Sequence, residues 1–554
     1  MTRTAGPPID PPRPAATEVP PRTGGPGPAA RPEAGQQSRR DPRSRRSHRS
    51  RPRRRPHPDV ALLGALLGVV LTVQAWNIGG FPIVTDDEGT YLAQAWAVRE
   101  GLGLAHYTYW YDHPPLGWIQ LAGLSWLPAL LMPDQLAVVT GRVAMLPVTG
   151  ASLVLVYLLC RRLGLARTTG AVAVLGYGLS PLAVTMQRQI YLDSFAVAWM
   201  LGAFVLALSP RRHLWHHVAA GAAAGVAVLS KETIVIVLPA LVVALCRGTT
   251  PGGVRPFSFA GFGTGLLTVG IGYPLYALLK SELLPGPGHV SLLGALRFQL
   301  QGREGSGSVF ATGSSAREVL DSWLFYDPVL IYAGIVAGLL GLAVRRLRPV
   351  AVAVTLLLAV ALRPDGYLPA MYVVQALPFL AVAVAGLAET GTRRLLGWRD
   401  RAGRTERSLR VGVVLAAVAV ALAVVAPRWY EGNLRAVTAE DNGRYAAALA
   451  WLRTEVPQRS DRTVVTDDVL WLDLLDAGYR RDRVIWFYKL DLDREVAERL
   501  TNGWREVDLI VSTPPMRADD NPLPTVDLLM ANSAPLVTFG TGSDRIEIRQ
   551  VHHD

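Results

Sequence analysis

Cysteine is nearly absent: the 554 residues contain only Cys160 and Cys246. Each closes an apolar run beside arginines and is expected on the cytoplasmic side, so no disulfide framework follows. A Gly-rich phosphate turn of the dinucleotide type is also missing, and Gly540-Thr541-Gly542-Ser543 reads as a hairpin turn. No small-residue cleavage site follows the first apolar run, Val60 to Ala75, and the stretch before it is too long and Pro-rich for a signal-peptide n-region. That run reads as a membrane helix. Related halves and midplane ionisable groups, which a transporter would carry, are not seen.

Apolar residues are plentiful. Half of the chain, 50%, is hydrophobic, which at this length points to a polytopic α-helical membrane protein. The net charge of +12 is concentrated at one end, where residues 1–58 hold 14 arginines against 4 acidic residues. A nucleic-acid-binding domain is therefore not implied. The segment is rich in Pro, Gly, Arg and Ser and reads as a disordered cytoplasmic tail near anionic lipid.

Hydropathy marks about eleven spans, near 59–79, 138–160, 168–187, 191–209, 215–230, 233–247, 258–279, 326–344, 349–362, 369–389 and 409–427. Alternate loops carry arginines: Arg161, Arg162 and Arg167; Arg211 and Arg212; Arg247 and Arg255; Arg345, Arg346 and Arg348; and a final group from Arg393 to Arg410. All fall on the side of the basic tail, which the positive-inside rule makes cytoplasmic. The opposite loops face outward and hold Asp86-Asp87-Glu88, His113-Pro114-Pro115, Arg188 to Asp193, Lys231-Glu232, residues 281–325 and Arg363-Pro364-Asp365. In the first of these loops Tyr91 to Gly101 and Leu116 to Leu127 read as interfacial helices. The Gly-flanked Arg303 and Glu304 mark a mobile segment. From 429 to 554 strands alternate with helices, which predicts an extracytoplasmic α/β domain with a largely parallel sheet. The expected layout is thus tail 1–58, membrane domain 59–428 and α/β domain 429–554.

Polar groups gathered at one membrane face suit the transfer of a sugar from a polyprenyl phosphate to a hydroxyl. The alcohol needs a general base, whereas the phosphate leaves as an anion and needs positive charge to hold it. Asp86, Asp87 and Glu88 are the candidate bases, and repulsion between neighbours raises a carboxylate's proton affinity. The alternative is a solvated loop, or a cap for a helix beginning near Thr90. The same oxygens are candidate ligands for a divalent cation, and no other cofactor is indicated. Lys231 sits in an outward turn against the inside bias, and Arg363 repeats that placement. Both are candidate phosphate ligands, with lipid snorkelling as the alternative. Arg188 and Asp193 bracket a helix start, where they either pair or serve the site. His113 either binds substrate or orients the Pro-Pro turn. Arg142 reads as a packing group.

In order, Asp87-Glu88 with Tyr91, His113-Pro114-Pro115-Leu116, Arg142, Pro181, Arg188 with Asp193, Leu229-Ser230-Lys231, and Arg363 before Tyr367 and Pro369 resemble the landmarks of polytopic GT-C glycosyltransferases. Within them the resemblance is to family 39, the protein O-mannosyltransferase, aminoarabinose transferase and RgtA/B/C/D-like group, over residues 59–430. The resemblance implies a polyprenyl-phosphate sugar donor, inversion at the anomeric carbon and a catalytic acid at Asp87 beside Glu88. It further implies a second acid at Asp193 and donor-phosphate contacts from Lys231 and Arg363. Asp86 is an extra acid that leaves the register open. The acceptor is expected to be a cell-envelope glycan, lipid or protein. Two other classes stand beside this reading: a polyprenyl-lipid or small-molecule transporter or flippase, and a membrane-anchored binding module.

Overall fold

The computed structural model describes residues 58–103, 111, 113–249, 252–286, 289–364, 366–397, 404–517 and 522–553. Except for Pro58, the tail expected to be disordered lies outside them, as does Asp365. Residues 56–554 cluster as a single compact unit, so the C-terminal sheet is not a separate body.

Helices α1 (Pro58–Ala75), α2 (Asp86–Arg99), α3 (Leu116–Leu131), α4 (Ala137–Arg162), α5 (Arg167–Leu179), α6 (Pro181–Arg188), α7 (Leu192–Ala207) and α8 (Leu214–Ser230) come first. A 3-10 turn at Glu232–Val237 leads into α9 (Leu238–Gly248), followed by α10 (Arg255–Gly270), α11 (Gly272–Leu279) and α12 (Leu292–Arg297). The helical series ends with α13 (Ser315–Tyr326), α14 (Pro328–Gly341), α15 (Arg348–Ala361), α16 (Val373–Gly397) and α17 (Arg404–Thr438).

Each expected span falls on helix. Among the described residues five helices are long and apolar enough to cross a membrane by length and composition, and up to seven if each of two bent pairs is one span. Those pairs are α5–α6, bent by 61°, and α13–α14, bent by 105°. Proline causes both bends. Pro181 and Pro328 open the second helix of each pair, lack the N–H needed to continue the first, and force the preceding residue out of helical geometry. Asp327 covers one break by accepting from Leu330 N–H at 2.9 Å and from the Ser180 hydroxyl at 2.6 Å. Helices α3, α7, α8 and α15 are apolar but shorter. Side chains along α17 from Val411 to Val424 are exposed, as lipid-facing residues are. Helices α8 and α10 touch so closely that a Cβ on Gly221 would lie 1.9 Å from the Phe262 carbonyl oxygen.

The arginine-bearing loops gather at one end. Arg247 donates to the carbonyls of Arg346 and, at 3.2 Å, Arg345. Glu389 pairs with Arg346 at 3.2 Å and Arg393 at 2.7 Å. Cys160 is buried, Cys246 is exposed, and both are free thiols.

Helix α17 runs to Thr438, past the expected boundary at 428, and the α/β part starts with α18 (Gly443–Thr454). It continues through β1 (Val464–Thr466), α19 (Asp468–Asp476), β2 (Val484–Trp486), α20 (Lys489–Leu492), α21 (Arg494–Arg499), β3 (Leu509–Ser512), α22 (Pro524–Ala531), β4 (Ser533–Phe539) and β5 (Ile546–Val551). The sheet order is β2-β1-β3-β5-β4. The first three strands are parallel and β4–β5 is the antiparallel hairpin. Val464 on β1 and Ile510 on β3 are fully buried, as expected for central parallel strands.

Candidate active site

The three adjacent acids lie within the first turn of α2, which begins at Asp86 and not near Thr90. Thr85 is the N-cap residue, and its N–H donates to Glu88 Oε2 at 3.2 Å. Acidic side chains are favoured there by the helix dipole. Successive helical residues are turned by about 100°, so the three carboxylates point in different directions.

Glu88 points into the core. It is 0% exposed and meets a 0% exposed Arg142 in a two-pronged ion pair. Arg142 Nε lies 2.8 Å from Oε1 and Nη2 lies 2.7 Å from Oε2. Ile190 N–H adds a bond to Oε1 at 3.1 Å. Arg142 also donates to the carbonyls of Pro82 at 2.8 Å and Ile78 at 3.1 Å. These contacts engage both carboxylate oxygens of Glu88, the residue expected to stand beside Asp87 as a catalytic acid, in a buried ion pair.

Asp86 turns toward the C-terminal domain. Burial, then the charges of Asp467 and Asp87, push its carboxyl up to about 7. Asp87 is half-buried. Among the described residues no hydrogen bond or ion pair engages its carboxylate. The three acids therefore do not converge as cation ligands, and among the described residues no group of three or more His, Cys, Asp or Glu is arranged to hold a metal. Asp86, Asp87 and Glu88, the candidate cation ligands of the sequence, thus lie in three different surroundings.

One helical turn after Asp87, on the same stripe of α2, Tyr91 stacks obliquely near His113, with ring centroids 6.3 Å apart. His113 joins a chain of polar contacts. Lys231 donates to Nε2 at 2.8 Å, and Nδ1 lies 3.1 Å from Glu232 Oε2. A neutral ring with its proton on Nδ1 satisfies both contacts. Tyr273 donates to the His113 carbonyl at 3.2 Å and holds the His-Pro-Pro turn. Lys231 is only 4% exposed, so it is not a snorkelling anchor.

Asp193, at the start of α7, is buried beside this group and shares electrostatic contact with Lys231, Glu232 and His113. Gln375 donates to Asp193 Oδ1 at 2.6 Å and also contacts Thr233, while Oδ2 is buried with no hydrogen-bond partner among the described residues. Gln375 and Thr233 escaped the sequence reading, because neutral polar residues inside apolar runs carry no charge signal.

Arg363 is exposed, and among the described residues its guanidinium has no hydrogen-bond or ion-pair partner. It and Asp193 both act electrostatically on Tyr372. Tyr372 also lines an apolar cavity of about 370 Å³ walled by Trp323, Tyr332, Leu357, Ala376 and Leu380, among others. The segment expected to be mobile is tied to the Arg363 loop. Ser306 N–H bonds to the Gly366 carbonyl at 3.1 Å, and the Arg303 guanidinium lies 3.5 Å from the centre of the Tyr367 ring.

Arg188 makes its hydrogen bonds away from His113, Lys231 and Asp193. Its guanidinium donates to the carbonyls of Ala436 at 2.7 Å, Trp76 at 2.9 Å, Phe81 at 3.3 Å and Val73. It ties α1 and the end of α17 to α6, and these contacts join it neither to Asp193 nor to Lys231.

A family model described as dolichyl-phosphate-mannose-protein mannosyltransferase matches residues 112–267. That range includes His113, Asp193 and Lys231. No curated protein sequence matches the chain. Among solved structures, ArnT from Cupriavidus metallidurans bound to undecaprenyl phosphate is similar at 17% identity, with a TM-score of 0.53 over 89% of this chain and 98% of that one. The archaeal oligosaccharyltransferase AglB from Archaeoglobus fulgidus, in complex with an inhibitory peptide and a dolichol-phosphate, is similar at 14% identity. Its TM-score is 0.50 over 88% of this chain and 74% of that one. The architecture is that of the GT-C glycosyltransferases, a polytopic helical membrane fold.

Proposed function

We propose that this chain is an integral-membrane glycosyltransferase that moves a sugar from a polyprenyl-phosphate donor to a hydroxyl of a cell-envelope glycan, lipid or protein. The observation that carries the reading is the company at one end of the bundle. The carboxylate of Asp87 and the guanidinium of Arg363, neither with a hydrogen-bond or ion-pair partner among the described residues, share that end with the buried amine of Lys231 and an apolar cavity reached at Tyr372. ArnT and AglB, each solved with a polyprenyl or dolichyl phosphate, support a lipid-linked donor here.

In this reading Asp87 takes the proton from the acceptor hydroxyl as its oxygen attacks the anomeric carbon. The carbon–phosphate oxygen bond breaks on the opposite face, which inverts the centre. The departing phosphate keeps the bonding electrons and is held by Lys231 and Arg363. His113 and Glu232 orient the Lys231 amine, and the polyprenyl chain occupies the cavity beside Tyr372. Asp193 is held by Gln375 as a second acid facing Lys231. The active end and the C-terminal sheet face away from the cytoplasm, opposite the arginine loops.

A strain lacking the gene tests this reading. Mass spectrometry is expected to find a lipid-linked sugar accumulating and one envelope glycoform missing. Unchanged pools of both would refute it.

A further inference from the structure

Two residues after Asp87, helix α2 meets the C-terminal domain backbone to backbone. A Cβ on Gly89 would stand 2.3 Å from the Asp468 carbonyl carbon and 2.6 Å from Val469 N. Only glycine permits that approach. The next residue, Thr90, contacts Asp468 Oδ2 through its hydroxyl, and Tyr488 donates to the same oxygen at 3.2 Å. Asp468 Oδ1 is buried with no hydrogen-bond partner among the described residues. Further along, Trp96 meets Trp471 edge to face at 5.4 Å.

The same nine-residue helix, α19, reaches a second element. Asp473 Oδ1 accepts from Ala137 N–H at 2.9 Å, one of the unsatisfied donors at the start of α4. Five residues on, α4 carries Arg142, which holds Glu88. Helix α19 thus grips α2 directly and also through α4. The other charged or titratable groups facing Asp468 are Asp86 on α2, Asp467, Tyr488 and Lys489, with Asp87 and Tyr445 next to Asp86 and Asp467. Lys489 is engaged by Asp493 at 2.6 Å.

We propose that the C-terminal domain is a working part of the transferase site, with Asp468 as a positioning residue. Through Thr90, and through the contact that Gly89 allows, it fixes the first turn of α2 and hence the direction of the Asp87 carboxylate. The catalytic half of this proposal rests on the role given to Asp87 above; the clamp itself does not.

Hydrogen–deuterium exchange on the full chain in detergent micelles tests the clamp, and transfer from a polyprenyl-phosphate-linked sugar tests its consequence. Asp468→Ala and Thr90→Val each remove the side-chain bond. Exchange over residues 86–92 is expected to rise roughly tenfold in both, with α14 and α15 unchanged, the size expected for one hydrogen bond at a locally opening segment. Asp468→Asn keeps an acceptor for Thr90 and is expected to stay near wild type. In transfer, kcat is expected to fall at least about fivefold in the first two variants, with donor KM unchanged, and to return in Asp468→Asn. Wild-type exchange in α2 of both Asp468→Ala and Thr90→Val would overturn the clamp whatever the activity. If Asp468→Ala exchanges throughout the chain, it has unfolded, and Thr90→Val alone decides. Raised exchange with unchanged kcat would overturn the positioning role. Asp87→Asn then separates the causes: if it is inactive, only positioning fails, and if it is active, the assignment of Asp87 fails as well.

Discussion

Arg142 closes a two-pronged ion pair on Glu88, at 2.8 and 2.7 Å, with neither side chain exposed. Removing one partner of such a pair strands a buried charge, at a cost of about 3–5 kcal/mol. Glu88→Ala and Arg142→Leu are therefore expected to lose most folded protein, measured as the monodisperse fraction and melting temperature in detergent. Arg188→Met, which abandons several buried carbonyls, is expected to behave similarly. Near wild-type melting in all three would contradict the structural roles given to Glu88 and Arg188.

In the proposed function Lys231 binds the donor phosphate through an amine held by His113. A charge-assisted hydrogen bond contributes about 1.5–3 kcal/mol, or roughly 10- to 100-fold in affinity. Lys231→Met is expected to weaken binding of a polyprenyl phosphate by that factor in a fluorescence titration. Arg363→Gln is expected to act in the same direction without a loss of thermal stability, because its guanidinium is exposed and has no hydrogen-bond or ion-pair partner among the described residues.

The apolar cavity beside Tyr372 offers a separate handle. Ala376 lines it, and Ala376→Phe fills part of it, with an overpacking cost of about 1–3 kcal/mol. Affinity for a long-chain donor is expected to drop, while a short-chain analogue binds as before. Equal losses for both chain lengths would place the lipid elsewhere.

The junction between α2 and α19 holds several carboxyls. Burial pushes Asp86 and Asp473 up to about 7 and Asp467 to about 6, and Asp468 well above the ordinary range. A carboxyl with a higher pKa folded than unfolded favours the fold fully below the unfolded value near 4. That contribution is lost as pH rises through the folded value. Melting temperature is thus expected to fall between pH 5.5 and pH 8, and Asp86→Asn is expected to shrink the fall. A flat or rising profile would contradict this charge arrangement.

Much of the architecture was legible because it is written in local pattern. The helices follow apolar runs, the breaks follow Pro181 and Pro328, and β1 to β3 follow short β-branched runs such as Val464-Val465. The gathering of His113, Asp193 and Lys231 was legible only as a shared membrane face. What escaped was partnership over long separations. Nothing local to Glu88 announces Arg142, and nothing near Arg188 announces the carbonyls of α17. Asp86, unexplained in the sequence, faces Asp467 and Asp468, nearly four hundred residues later in the chain. Three adjacent acids looked equivalent as letters, and the turn of a helix gave them three different environments.

The most direct test compares initial rates of sugar transfer from a polyprenyl-phosphate donor by purified wild-type and Asp87→Asn protein. Loss of a general base is expected to lower the rate by about 10²- to 10⁴-fold, with the melting temperature unchanged because among the described residues no hydrogen bond or ion pair engages the carboxylate. A wild-type rate in Asp87→Asn would contradict the account at its centre.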